Sequence, residues 1–114
     1  MDAASQDTVA AAEALGQARD GTFLLDVREQ DEWDRGHSPL AVLVPMSQLQ
    51  AHLDEVPEDR RVLVVCHSGQ RSAAVASALV RAGYDAATVE GGMIAWSAAG
   101  GEIVASDGGP ARVD

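Results

Sequence analysis

The stretch that most constrains this 114-residue chain is residues 61–72, which read R-V-L-V-V-C-H-S-G-Q-R-S. Val62–Val65 form an unbroken apolar run rich in β-branched side chains. A run with no polar alternation suits a strand covered on both faces, as in a parallel sheet. Cys66, the single cysteine of the chain, stands where the run stops. Residues 67–70 are small or polar and include Gly69, which predicts a tight loop. From residue 71 to residue 82 the pattern becomes helical. Val75, Ala78, Leu79 and Ala82 recur at i, i+3, i+4 and i+7, and Gly83 is a fitting stop.

A thiol between a strand and a helix occupies a chemically favoured place. Open α/β sheets bind ligands beyond the carboxyl ends of their strands. A helix N-terminus adds unpaired N–H groups and a partial positive charge. Both favour thiolate over thiol, so Cys66 is expected to titrate below the free value of about 8.5. Arg71 brings a full positive charge, and the amides of His67, Ser68, Gly69, Gln70, Arg71 and Ser72 are placed to form a cup for an anion or a charged sulfur. A lone cysteine ending an apolar strand is by itself most often a small buried hydrophobe. The S-G-Q-R-S that follows argues otherwise, because a structural cysteine needs neither a glycine loop nor an arginine opening the next helix.

The length allows one domain with its own core. An apolar share of 46% with 23% charged residues indicates a globular chain. The net charge of −10 argues against nucleic-acid or anionic-membrane binding. One cysteine excludes an internal disulfide and a cysteine-based zinc site, and suits a reducing, cytoplasmic compartment. No run approaches the roughly 20 apolar residues of a membrane span, and no basic-then-apolar segment marks a secretory signal at the N-terminus.

In chain order, residues 1–7 are expected to be disordered, residues 8–104 to form the domain, and residues 105–114, with Gly108-Gly109-Pro110, to be a flexible tail. Asp7 or Thr8 is positioned to cap a helix reaching about Arg19, with Ala11, Leu15 and Ala18 inside. Strands are expected at residues 23–25, 42–44 and 84–89 besides the one before Cys66. Ser47 to Gln50 has capping-box spacing, predicting a helix to about Leu53. Trp33, in a short acidic helix, reads as a core anchor. His37, His52 and His67 do not form a metal spacing. His37 reads as a structural turn residue, His52 as outward-facing, and the His67 side chain as solvent-facing. Strands alternating with helices predict an α/β fold with a mostly parallel sheet covered on both faces. Right-handed crossovers would bring Asp26, Cys66 and Glu90 to one edge.

Cys66, Gly69, Arg71 and Ser72 resemble, position by position, the C-x-x-G-x-R-S active loop of rhodanese-homology domains. The Asp26-Val27-Arg28-Glu29 run, followed by Trp33 and Gly36-His37, is similar to a second feature of that family. Glu90-Gly91-Gly92 with Trp96 is similar to a third, G-G-x-x-x-W. The turn departs from the family's G-H-I-P-G-A, since Ser38 replaces Ile and Leu40 replaces Gly. A different turn is expected there, touching the active-site rim. The resemblance spans about residues 8–104 and implies a three-layer α/β/α domain with a five-stranded sheet.

It also implies a sulfurtransferase of the thiosulfate type. Cys66 would be the nucleophile and carry a persulfide; residues 67–72 would bind a small anionic sulfur donor. The acceptor would be cyanide or a thiol. No metal or organic cofactor is called for. Arg71 can hold the donor or brace the loop, and the sequence leaves both open. Asp26 and Arg28 can order the following helix as an ion pair or take a direct part, acting as supporting residues. Two other readings stand beside this one. A sulfur-carrier or regulatory module would work with a sulfur-delivery protein partner. A cysteine phosphatase or arsenate reductase would share a thiolate and an arginine, but Cys66 to Arg71 is C-x4-R, one residue shorter than the C-x5-R of phosphatases.

Overall fold

A computed structural model describes residues 7–113. Five strands and four α-helices alternate: β1 (Asp7–Val9), α1 (Ala11–Arg19), β2 (Phe23–Asp26), α2 (Gln30–Arg35), β3 (Ala41–Leu43), a 3-10 segment (Met46–Glu55), β4 (Val62–Val65), α3 (Gln70–Arg81), β5 (Ala86–Val89) and α4 (Gly92–Ala98). The sheet order is β1-β5-β4-β2-β3, and every neighbouring pair is parallel. This is the expected three-layer architecture, and parallel strands necessarily put the segments leaving β2, β4 and β5 on one edge.

β4 sits at the centre and is buried along its whole length. Its side chains alternate between faces. Leu63 and Val65 join a cluster with Leu15 of α1 and Met93 and Trp96 of α4. Val62 and Val64 join Val75 and Leu79 of α3, and Cys66 continues that phase. Trp96 is fully buried, with Gly101 packed so closely on its indole that a Cβ there would approach within 2.3 Å.

Several local expectations are corrected. Asp7 and Thr8 do not cap α1: Asp7–Val9 forms an edge strand on β5, and α1 starts after Ala10 without a side-chain cap. The predicted helix after Ser47 is a 3-10 segment broken at His52 (φ −124°). Its capping box does not form, because the Ser47 hydroxyl donates to Glu29 Oε1 at 2.9 Å. The buried stripe of α3 is Ser72, Val75, Ala76 and Leu79, so Ala78 and Ala82 face solvent. Trp33 is not a core anchor. It is half-buried and stacks on the His37 ring at 3.8 Å, while the Trp33 carbonyl lies 2.7 Å from His37 Nδ1.

The segment read as a flexible tail lies back along α2. The Ser106 and Arg112 amides donate to the Asp34 and Arg35 carbonyls at 3.0 Å each, and Val113 packs on the core. Gly36 makes this approach possible, since a Cβ there would meet the Arg112 carbonyl oxygen at 2.2 Å. The turn at Ser38 needs no glycine. Ser38 Oγ accepts the Leu40 amide at 3.1 Å, and Leu40 has an ordinary negative φ. That turn enters β3, so it lies at the sheet edge opposite Cys66 and does not form the rim of its loop.

Candidate active site

Cys66 follows the last residue of β4, and Gly69 turns the chain into α3 with a left-handed φ of +114°. The tight reversal aims peptide N–H groups back at the sulfur. Cys66 Sγ accepts the Gly69 amide at 3.1 Å and the Ser72 amide at 3.3 Å, and lies 3.4 Å from Ser72 Oγ. Burial on its own pushes the thiol up. Hydrogen bonds from the Ser72 hydroxyl and from the Ser72, Gly69 and Arg71 amides outweigh it, so Cys66 titrates below the ordinary cysteine value. The residue is only 1% exposed, beneath a loop whose Ser68 and Gln70 are open to water. A nearby apolar groove of about 370 Å³ between the 3-10 segment and α3 does not reach it.

The loop is held from two sides. On one, α4 begins at Gly91-Gly92, and the Met93 and Ile94 amides donate to the Cys66 and His67 carbonyls at 2.8 and 3.2 Å. Gly92 passes so close that a Cβ would sit 2.5 Å from the Cys66 carbonyl oxygen and 2.4 Å from that of His67. On the other side, Arg71 makes a bidentate ion pair with Glu32 of α2, with both N···O distances 2.8 Å. The Arg71 hydrogen bond holds the Glu32 carboxyl down at about 2, and Glu32 in turn raises the Arg71 pKa.

Asp26 and Arg28 also form an ion pair, fully buried, with Arg28 Nη2 donating to Asp26 Oδ2 at 2.9 Å and Nε to Oδ1 at 3.1 Å. Arg28 Nη2 further donates to the Gly36 carbonyl at 2.8 Å, tying the end of β2 across α2. A buried charge needs such complete pairing, and removing one partner would strand the other. Arg28 Nη1 also lies 3.5 Å from the Glu32 backbone carbonyl, so the pair borders α2 at the residue that holds Arg71. The His67 ring departs from expectation: it is half-buried, and its Nδ1 is shielded from water without a hydrogen-bond partner among the described residues.

Two contributors were missed in the sequence. Glu32 lies 39 residues from Arg71, a separation that no periodic pattern reveals. Thr88, on β5, places Oγ1 2.8 Å from Ser72 Oγ. A signal for it existed: it is the one polar residue of Ala86–Val89, in the phase that faces α3. Among the described residues, no group of three His, Cys, Asp or Glu side chains has metal-site geometry, and no helix is long and apolar enough to cross a membrane.

The family model for the rhodanese-like domain matches residues 8–99. The chain belongs to the rhodanese-like domain family. It is 34% identical over 103 residues to a sulfurtransferase of Allochromatium vinosum, an alignment covering 90% of this chain and 95% of the relative. It is 33% identical over 61 residues to a Bacillus subtilis protein named for sulfur carriage, covering 54% of this chain and 33% of that one. A rhodanese-related protein of Thermoplasma volcanium superposes with a TM-score of 0.79 at 31% identity, covering 86% of this chain and 97% of its own. Sulfurtransferase relatives of this similarity support a sulfur-transfer role for this rhodanese-like domain.

Proposed function

We propose that this rhodanese-like domain moves a sulfane sulfur from thiosulfate, or a similar small anionic donor, to a thiophilic acceptor through a Cys66 persulfide. The observation that carries the reading is the convergence of the Gly69 and Ser72 amides on Cys66 Sγ. In the first half-reaction the thiolate attacks the outer sulfur of thiosulfate. An S–S bond forms at Cys66, the S–S bond of the donor breaks, and sulfite departs with the bonding pair. In the second, cyanide or a thiolate attacks the terminal persulfide sulfur and Cys66 leaves as thiolate again. The charge moves one S–S bond outward, from Cys66 Sγ to the terminal persulfide sulfur, and returns to Sγ when the acceptor takes that sulfur. Fixed amide donors around the loop serve both positions, each worth about 2–4 kcal/mol in comparable sites.

Residues 67–72 form the cup, and Arg71 serves it by bracing. A phosphatase would need that guanidinium for a tetrahedral anion, and Glu32 already engages both of its terminal nitrogens. A cytoplasmic, reducing setting fits a thiol that must return to the free state after each transfer. The carrier reading has a specific support of its own in the Bacillus subtilis relative and the sheltered position of Cys66. It assigns the loading step to a protein partner that delivers sulfur.

The test is thiocyanate formation from thiosulfate and cyanide by the native protein and by Cys66→Ser. Turnover by the native protein alone supports the enzyme. Sulfur uptake from a cysteine desulfurase without thiosulfate turnover assigns the carrier role. Loss of both overturns the proposal.

A further inference from the structure

We infer that Thr88 is a positioning residue for the nucleophile, its hydroxyl setting the Ser72 hydroxyl to donate to Cys66 Sγ. The inference rests on the reading of Cys66 as a working thiolate. β5 pairs with β4 in the register Val64↔Thr88. Thr88 is therefore on the strand beside the one that leads to Cys66, level with Val64 two residues before it, in the same phase, which faces α3. It is 4% exposed, and its Oγ1 stands 2.8 Å from Ser72 Oγ.

Ser72 has one hydroxyl proton and three neighbours. The Gly69 carbonyl, at 3.2 Å, only accepts. A thiolate at Cys66, at 3.4 Å, only accepts. Thr88 can do either. When the sulfur is protonated, Cys66 donates to Ser72 Oγ, and Ser72 sends its proton on to Gly69 or Thr88. When the sulfur is charged, the chain reverses: Thr88 donates to Ser72, and Ser72 donates to sulfur. Without the Thr88 hydroxyl, Ser72 keeps the Gly69 carbonyl as a competing acceptor and loses the donor that completes its own shell. A hydrogen bond to the charged sulfur is the stronger kind, so the reversal stabilises the thiolate over the thiol.

The other charged or titratable groups around this junction are the Arg71–Glu32 pair, the Asp26–Arg28 pair, His67, and Glu90 at the end of β5. The Thr88 variants keep all of them, so a shifted profile reports the hydroxyl chain.

The experiment is the pH dependence of Cys66 alkylation by iodoacetamide in native protein, Thr88→Val, Thr88→Ser, Ser72→Ala and the Thr88→Val/Ser72→Ala double variant, each first shown to be folded by its thermal transition. Thr88→Val should raise the midpoint by about 0.5–1 pH unit. Thr88→Ser should restore the native profile, and Thr88→Val should add nothing once Ser72 is Ala. An unchanged midpoint in folded Thr88→Val, a shift of equal size in Thr88→Ser, or full additivity in the double variant overturns the inference. If Thr88→Val fails to fold, Thr88→Ala takes its place with the same expectations. The readout needs no sulfur donor, so failure of sulfur transfer and failure of this inference are told apart.

Discussion

Two neighbouring strand-to-helix junctions use the same backbone device for different ends. β4 leads into α3 through Gly69, and β5 leads into α4 through Gly91, each glycine in the left-handed region. Both helices then open with amides free of intrahelical partners. At the first junction the Gly69 and Ser72 amides meet the Cys66 sulfur. At the second the Met93 and Ile94 amides meet the Cys66 and His67 carbonyls. Donors aimed at a titratable atom change its chemistry, while donors aimed at carbonyls change only where that atom sits. The junction that carries Cys66 is thus held in place by its neighbour, and the pair should respond differently to mutation.

The largest effect is expected at the sulfur. Cys66→Ser should reduce thiocyanate formation to the uncatalysed background and leave the urea unfolding midpoint close to native, which separates chemistry from scaffold. Gly92→Ala should act on the scaffold first, with any loss of transfer following from the displaced loop. Its Cβ would collide with two carbonyl oxygens at a φ of +60°, and a loss of about 3 kcal/mol in urea unfolding is expected from strain and overpacking together. Gly69→Ala tests the comparison most finely. Its Cβ would meet nothing closer than 3.5 Å, although φ is +114°. A stability loss of about 1–2 kcal/mol is expected, with a disproportionate fall in sulfur transfer as the amide leaves the sulfur.

Glu32→Gln should have a smaller effect, about 1 kcal/mol at pH 7 for a partly exposed pair. The Glu32 carboxyl titrates at about 2 in the folded state against 4.5 in the unfolded chain. A depressed carboxylate contributes its full stability above the unfolded value and loses it as pH falls through the folded one. The difference between native and Glu32→Gln should therefore be complete above pH 4.5 and close as pH falls toward about 2. Smallest of all, Ser47→Ala removes an exposed hydrogen bond to Glu29 and should cost no more than about 0.5 kcal/mol in urea unfolding.

The sequence shows these two junctions unequally. β4 was legible because Val62–Val65 is buried on both faces and carries no competing pattern. The loop after it was legible from Gly69 and Arg71, and the Gly91-Gly92 turn from the family resemblance. β1 was not, because three residues at a sheet edge that begin Asp-Thr carry as much capping signal as strand signal. The stripe of α3 was misplaced because alanine is small enough to sit on either face. Val75 and Leu79 fix the helix, and Ala76 rather than Ala78 falls inside. Trp33 misled for a related reason: its size suggested the core, but α2 buries none of its residues fully and the indole pairs with His37 instead. Ion pairs between distant segments, such as Glu32 with Arg71, leave no trace in spacing. Alternation along Ala86–Val89 did hold the clue to Thr88.

The most direct test of the central claim is peptide-resolved mass spectrometry after brief exposure to thiosulfate. The account predicts the gain of one sulfur atom on the peptide that contains Cys66, removed by cyanide. A protein that stays at its native mass under thiosulfate and under a sulfur-delivering desulfurase alike would contradict it.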